Sequence, residues 1–275
     1  MKPKAITAAF VRKNLPKRTK TSNKIHGGKL VIVAGSNGMY GAGLLAALAA
    51  TRIGAGYTYL MLEWTSKQLL QHPDILFLKP KINLFKNINA TAYIVGPGMG
   101  ISTKAKAKLY YFIKRKLSNV VLDADGLTLL SKIKNPVIPH NWVLTPHEGE
   151  LARLLNISAD EVRKNPIHCI ALAQKKYGCT ILLKGADTYI TDGKKLWISS
   201  SGTPALAKAG TGDVLAGIIG GLLSQGLEAA TAAALGAYLH GLTSKRYLTN
   251  GNDVLSLRPL DLIDELPKTL KLARH

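Results

Sequence analysis

The sequence predicts a single α/β domain in which a mostly parallel sheet is covered by helices on both faces. Three observations carry this reading. Short apolar, β-branched runs alternate with helix-length stretches along most of the chain, as βαβ units do. Glycine and polar clusters close those runs, where open α/β sheets gather ligands. No Pro/Gly/Ser linker, internal repeat or low-complexity tract divides the 275 residues, of which 47% are hydrophobic and 19% charged, so one domain over residues 1–275 is expected.

The elements follow in order. "KLVIVAG" (29–35) is a strand ending in glycine, and "GAGLLAALAATRIGAG" is a buried alanine- and leucine-rich helix closed by Gly54 and Gly56. "YTYLML" supplies another strand. The alternation recurs in "AYIVGPGMG", in the charged amphipathic stretch "STKAKAKLYYFIKRKL", in "NVVLDADGLTLL", in "NWVLTPHEGELARLL" and in "IHCIALAQKKYGCTILLKG". "ADTYITDGKKLWIS" breaks the rhythm: two β-rich runs flank Asp192-Gly193, which predicts a two-residue hairpin and an antiparallel pair. The remainder reads as two or more Gly- and Ala-rich helices, whose small residues permit close approach.

Charge excludes less than it suggests. There are 37 Lys+Arg against 16 Asp+Glu, a formal +21. Much of the excess is terminal: Lys2, Lys4, Arg12, Lys13, Lys17, Arg18, Lys20, Lys24 and Lys29 precede the first expected strand with no acid among them. No zinc-ligand spacing, recognition helix or aromatic RNA-reading strand accompanies the charge, so nucleic acid is not the expected partner. Cys169 and Cys179 form no disulfide framework and have no metal-spaced partner, which fits reduced thiols in a cytoplasm. The first two dozen residues lack the apolar core of a signal peptide. The uncharged run 30–51 is interrupted by "GSNGMYG", so it reads as strand, turn and helix rather than a membrane span.

The polar clusters "GSNGMYGAG", "GPGMG", "DADG", "TPHEGE" and "KGADT" are expected in register at strand ends. "GSNGMYGAG" lacks the G-x-G-x-x-G spacing, no Walker A pattern occurs, and "HEGE" is not H-E-x-x-H, so dinucleotide, P-loop and zinc sites are not indicated. "AGTGD" (209–213) stands directly before "VLAGIIGGLL". A helix start presents unpaired N–H groups and partial positive charge to an anion. Gly210 and Gly212 carry no side chain to block it. A carboxylate repels phosphate, so Asp213 is placed as the base that accepts a hydroxyl proton during phosphoryl transfer, with an ordinary capping role as the alternative. The loop from Lys184 to Thr188 offers an ammonium, a glycine turn and a hydroxyl to adenylate or phosphate. Glu150 reads as a solvated acid favoured by a helix start. Asp123 and Asp125 either orient water or metal or serve the turn.

This combination resembles the ribokinase superfamily, in which G-[AT]-G-D carries the anion hole and the catalytic Asp. Within it the sequence is similar to the NAD(P)H-hydrate dehydratases, on "VIVAGSNGMYGAGLLAALAATRIGAG", "VGPGMG", "VVLDADGL", "LTPHEGELARLL", "LKGADTYI" and "GTPALAKAGTGDVLAGIIGGLLSQG". Asn23 stands where the family more often has His, and Met39-Tyr40 replaces a tyrosine-proline pairing. The resemblance implies a ribokinase-like three-layer sandwich and an ADP- or ATP-dependent dehydration of the S-form of hydrated NADH or NADPH. Magnesium and an adenine nucleotide would be the cofactors. It implies that Ala42, Gly100, His147 and Asp213 contact the substrate. Lys184, Gly185, Ala186, Asp187, Thr188 and Gly212 would hold the nucleotide, while Gly210, Thr211 and Gly212 form the anion hole. It names no metal ligands. A homo-oligomer, a separate epimerase partner and no epimerase domain on this chain are expected. A vitamin kinase of the same superfamily, of hydroxyethylthiazole or hydroxymethylpyrimidine type, is the alternative.

Overall fold

The computed structural model describes residues 2–62, 71–79 and 88–275. Its centre is a ten-stranded sheet in the order β1-β10-β9-β8-β7-β6-β5-β2-β3-β4. The strands are β1 Lys4–Ala5, β2 Lys29–Val33, β3 Tyr57–Met61, β4 Leu76–Leu78, β5 Ala92–Val95, β6 Val120–Leu122, β7 Val143–Leu144, β8 Thr180–Leu183, β9 Thr188–Thr191 and β10 Leu196–Ser199. All neighbours pair parallel except β9, which is antiparallel to β8 and β10. From β2 the chain builds outward through β3 and β4, then returns to β5 and builds the other way. The crevice between β2 and β5 is thus the topological switch point, where such sheets open for ligands.

Strand pleating sorts the core into two halves. Leu30 and Ile32 of β2 join one apolar cluster, with the helices Tyr40–Ile53, Thr211–Ser224, Ala229–Thr249 and Pro259–Ala273. Val31 and Val33 join the other, with Thr103–Lys114, Asp125–Leu130, Glu148–Leu155 and Pro166–Tyr177. Both faces of each central strand are apolar because both are covered. The Gly/Ala bias of the first set is a packing requirement. A Cβ on Gly217 would lie 2.3 Å from the Ala46 carbonyl oxygen, so the helix Thr211–Ser224 touches Tyr40–Ile53 backbone to backbone.

Two expectations need correction. The first strand is not β2: Lys4–Ala5 already pairs with β10, and the helix Ala8–Asn14 follows it. Two residues are too few for periodicity to reveal. The β9–β10 hairpin is present, but Thr191 faces Leu196, so the loop holds Asp192 to Lys195 rather than two residues. Asp192 Oδ1 accepts the N–H groups of Lys194 and Lys195 and stabilises the longer turn. Among the described residues, no helix is long and apolar enough to cross a membrane.

Candidate functional site

The polar clusters all lie at one end of the sheet. At the switch point the loops after β2 and β5 are tied backbone to backbone, with Gly35 N–H donating to the Pro97 carbonyl at 2.9 Å. Gly98 has φ +56°, and a Cβ there would lie 2.7 Å from the Met39 carbonyl oxygen and 3.1 Å from Ala42 Cβ. Ala42, in the first turn of Tyr40–Ile53, is thereby brought against the loop that carries Gly100. The Gly100 N–H donates to Asp125 Oδ2 at 2.7 Å.

Asp123 and Asp125 diverge because Ala124 between them adopts φ +50°, ψ −119°. That region costs a non-glycine residue about 1–3 kcal/mol and persists only where surroundings enforce it. Asp125 turns to Gly100, while Asp123 turns inward and is 2% exposed. Its Oδ1 accepts from Thr145 Oγ1 and from Lys184 Nζ, each at 2.8 Å. A turn role alone does not describe either acid.

His147 is the N-cap of Glu148–Leu155: its Nδ1 accepts the Gly149 N–H at 3.0 Å, and its ring is exposed. Glu150 corrects the sequence reading. It is 7% exposed, accepts the His147 N–H at 2.8 Å and sits 3.8 Å from Lys184 Nζ. An acid that completes a capping box beside a partly buried cation has no reason to remain in solvent.

Lys184, at the end of β8, is joined to the His147 segment through its N–H on the Pro146 carbonyl at 2.8 Å. Its ammonium is held between Asp123 and Glu150; burial opposes the charge, but these carboxylates and Asp213 more than offset it, and its pKa is raised. Lys184, Gly185, Ala186 and Asp187 line a cleft of about 140 Å³ with Glu148 and Arg163. Asp187 accepts from Ser200 Oγ, and Thr188 begins β9. A larger groove of about 640 Å³, lined by Arg52, Asp264 and Pro267 among others, contains none of the predicted residues.

The helix Thr211–Ser224 starts from Gly210, whose φ of +92° a side chain would strain. A Cβ on Gly210 would lie 2.8 Å from Pro259 Cγ and 2.9 Å from Leu45 Cδ1. Its glycine therefore serves the turn and the packing behind it, rather than clearing an approach. Thr211 is already occupied: its hydroxyl donates to the Leu206 and Lys208 carbonyls, and its N–H to the Lys208 carbonyl. The N–H groups of Gly210, Gly212 and Asp213 have no acceptor among the described residues. The space where a Gly212 side chain would begin is 3.6 Å from Lys184 Nζ. Asp213 occupies the third helical position and makes no capping bond. Burial, seconded by Asp123 and Asp125 against the opposing Lys184, pushes its carboxyl up to about 7. That value suits a base near neutral pH.

The structure thus gathers Lys184, Gly212 and Asp213 around one charged centre, and Ala42 with Gly100 at the switch point; His147 is exposed at the start of the helix Glu148–Leu155. Sequence reasoning missed the Asp123–Lys184 pair, the burial of Glu150 and the buried His240. Only His240 left a signal, as an imidazole within an alanine-rich helix.

A family model described as NAD(P)H-hydrate dehydratase matches residues 30–268. An ADP-dependent (S)-NAD(P)H-hydrate dehydratase of Listeria monocytogenes is 32% identical over 98% of this chain and 97% of its own length. A bifunctional NAD(P)H-hydrate repair enzyme of Coxiella burnetii is 35% identical over 87% of this chain and 50% of its own. The chain spans about half the length of that relative. The crystal structure of the ADP/ATP-dependent NAD(P)H-hydrate dehydratase from Bacillus subtilis, co-crystallized with ATP/Mg2+, superposes with TM-score 0.88 at 29% identity, covering 99% of both chains.

Proposed function

This chain belongs to the NAD(P)H-hydrate dehydratase family, and we propose that it restores NADH or NADPH from the S-form of the hydrated cofactor at the expense of ADP or ATP. The observation that carries the reading is the helix start at Thr211: open amides, an adjacent ammonium and an unspent carboxyl poised near neutrality.

The hydrate bears a hydroxyl on C6 of its reduced pyridine ring, and hydroxide is a poor leaving group. Asp213 takes the hydroxyl proton as that oxygen attacks the terminal phosphorus of the nucleotide, whose shortened remainder departs. The amides of Gly212 and Asp213, with Lys184 beside them, stabilise charge on the transferring group. Phosphate then leaves from C6 as the ring nitrogen donates electrons and a proton is lost from C5, restoring the dihydronicotinamide. Ala42, Gly100 and His147 would seat the substrate, and the Lys184–Thr188 loop the nucleotide.

Among the described residues no group of three or more His, Cys, Asp and Glu is arranged to hold a metal ion, and Asp123 is engaged by Lys184. The Mg2+ of this proposal therefore fits as an ion carried on the nucleotide phosphates, where it would neutralise their charge. A dehydratase selective for one epimer leaves the other, so an epimerase acting on the same cofactor pool is the proposed partner, in the cytoplasm. The test is recovery of absorbance at 340 nm when the protein meets hydrated NADH, Mg2+ and either ADP or ATP. Recovery supports the reading and names the phosphoryl donor. A folded protein that binds adenine nucleotide but gives no recovery with either overturns it.

A further inference from the structure

We propose that the amino ends of the strands, opposite the site described above, form a docking surface for nucleic acid, held by its phosphate backbone without readout of its sequence. The strands β2, β6, β7, β8 and β10 run in one direction, so the stretches that lead into them (24–29, 114–119, 131–142, 174–179 and 192–195) share that end. Each stretch carries at least two Lys or Arg, and Lys24, Arg115, Lys116, Lys175, Lys194 and Lys195 among them are exposed. Asp192 is the one acid in these stretches, and its carboxylate is spent on the Lys194 and Lys195 amides. At the other end the signs are reversed: the segments that leave β6 and β7 bring Asp123, Asp125, Glu148 and Glu150. A uniformly basic chain would not sort its charges in this way. Helix ends explain part of the pattern, since cations complement the negative end of a helix dipole. That end is worth about half a charge, against three cations at 114–116, and Lys194 and Lys195 follow a strand rather than a helix.

The length of the basic band selects the partner. From β10 to β2 the sheet order runs through six steps, which at about 4.8 Å each span about 29 Å. A small anion is satisfied by one or two cations, whereas a band of this length matches successive phosphates of a polymer. The cations are also held in place. Lys24 Nζ lies 5.4 Å from the Tyr57 ring centroid, Lys176 Nζ 5.4 Å from that of Tyr177 and Lys195 Nζ 5.8 Å from that of Trp197. Tyr177 and Trp197 belong to the core, so these ammonium groups are anchored from beneath. An anionic bilayer suits the face less well, because proteins that lie on membranes add an apolar side to their cations. The large apolar residues exposed in these stretches, Ile25 and Val137, stand apart on the entries to β2 and β7. Phosphate contacts fix position but carry no sequence information, hence the lack of base readout.

The test is fluorescence anisotropy of a labelled 20-nucleotide single-stranded RNA against wild type and two charge reversals at opposite ends of the helix Thr103–Lys114. R115E/K116E alters the amino-end face, and K104E/K106E makes the same change of charge at the helix start. Wild type should bind with a Kd of about 1–10 µM in 150 mM salt, and affinity should fall about 100-fold between 50 and 200 mM, as about five contacts to a single strand imply. R115E/K116E should weaken binding at least about tenfold, and K104E/K106E less than about threefold. Equal losses would mean that net charge alone draws the RNA and would overturn the surface, as would a wild-type Kd above about 100 µM in 150 mM salt. Phosphatidylglycerol vesicles replace RNA in a second arm, and capture by vesicles without RNA binding overturns the assignment in favour of a membrane. Hydrogen exchange of wild type with and without RNA needs no variant: protection should appear at 114–119 and 192–195. Protection confined to the carboxyl ends of the strands overturns the proposal even if R115E/K116E does not fold. None of these readouts requires turnover, so the outcome is separate from that of the dehydratase reading.

Discussion

The helix beginning at Glu148 and the helix beginning at Thr211 open at the same end of the sheet, and each carries an acid as its third residue, Glu150 and Asp213. In the first, His147 and Glu150 close the turn on themselves: the imidazole accepts one amide and the carboxylate another. In the second, Gly210 is left-handed and has no side chain, and Asp213 makes no bond back to it. Side-chain length does not decide this, since Asp261 at the third position of Pro259–Ala273 does reach the Arg258 N–H, at 2.7 Å. His147 and Arg258 are extended N-caps, whereas Gly210 is left-handed, and there both the acid and the amides stay unspent. The same spacing therefore yields a sealed helix start that supports the fold and an open one available for chemistry.

The comparison breaks most visibly if Asp213 proves dispensable. Asp213→Asn should lower turnover by about 10²- to 10⁴-fold, while calorimetry gives a nucleotide affinity within about threefold of wild type. Next in size is Lys184→Met, which leaves Asp123 buried without its cation. Urea denaturation should show a loss of about 3 kcal/mol, and the double change with Asp123→Asn should return part of it; an additive result would show that the pair is not coupled.

The third prediction concerns pH. The Asp213 carboxyl sits near 7 in the fold against an ordinary 3.8, so the native state binds more protons than the unfolded chain between those values. Wild-type stability contributed by this group therefore declines as pH rises from about 4 to 7 and stays reduced above. Asp213→Asn escapes the decline and should melt about 2–6 °C higher than wild type at pH 8, with no gap at pH 4. Equal melting at pH 8 would mean that the carboxyl is not held in its neutral form by the fold. Smallest is Glu150→Ala, which opens the sealed start: about 1 kcal/mol of stability should be lost, with turnover changed by less than about threefold.

What the sequence disclosed follows from the range of the interactions involved. Strand and helix alternation and the clustering of polar turns are local patterns, and they placed Lys184, Gly212 and Asp213 at one end of a parallel sheet. Pairings between distant segments were not legible. Nothing near Glu150 in the chain announces that Lys184, on the next strand, will draw it inward, nor that Ala124 will be held at φ +50° to send its two neighbouring acids apart. The two-residue β1 and the four-residue loop after Thr191 were lost for another reason. Each is decided by hydrogen bonds to a partner strand or a single side chain rather than by periodicity.

The most direct test of the open helix start is the single-turnover rate of 340 nm recovery measured from pH 5 to 9 at saturating hydrate and nucleotide. A base titrating near 7 predicts a rate that falls about tenfold per unit below that value and levels off above it, with the dependence abolished in Asp213→Asn. A rate that is flat across this range in wild type, or a variant that keeps the wild-type profile, would contradict the assignment of Asp213 as the proton acceptor.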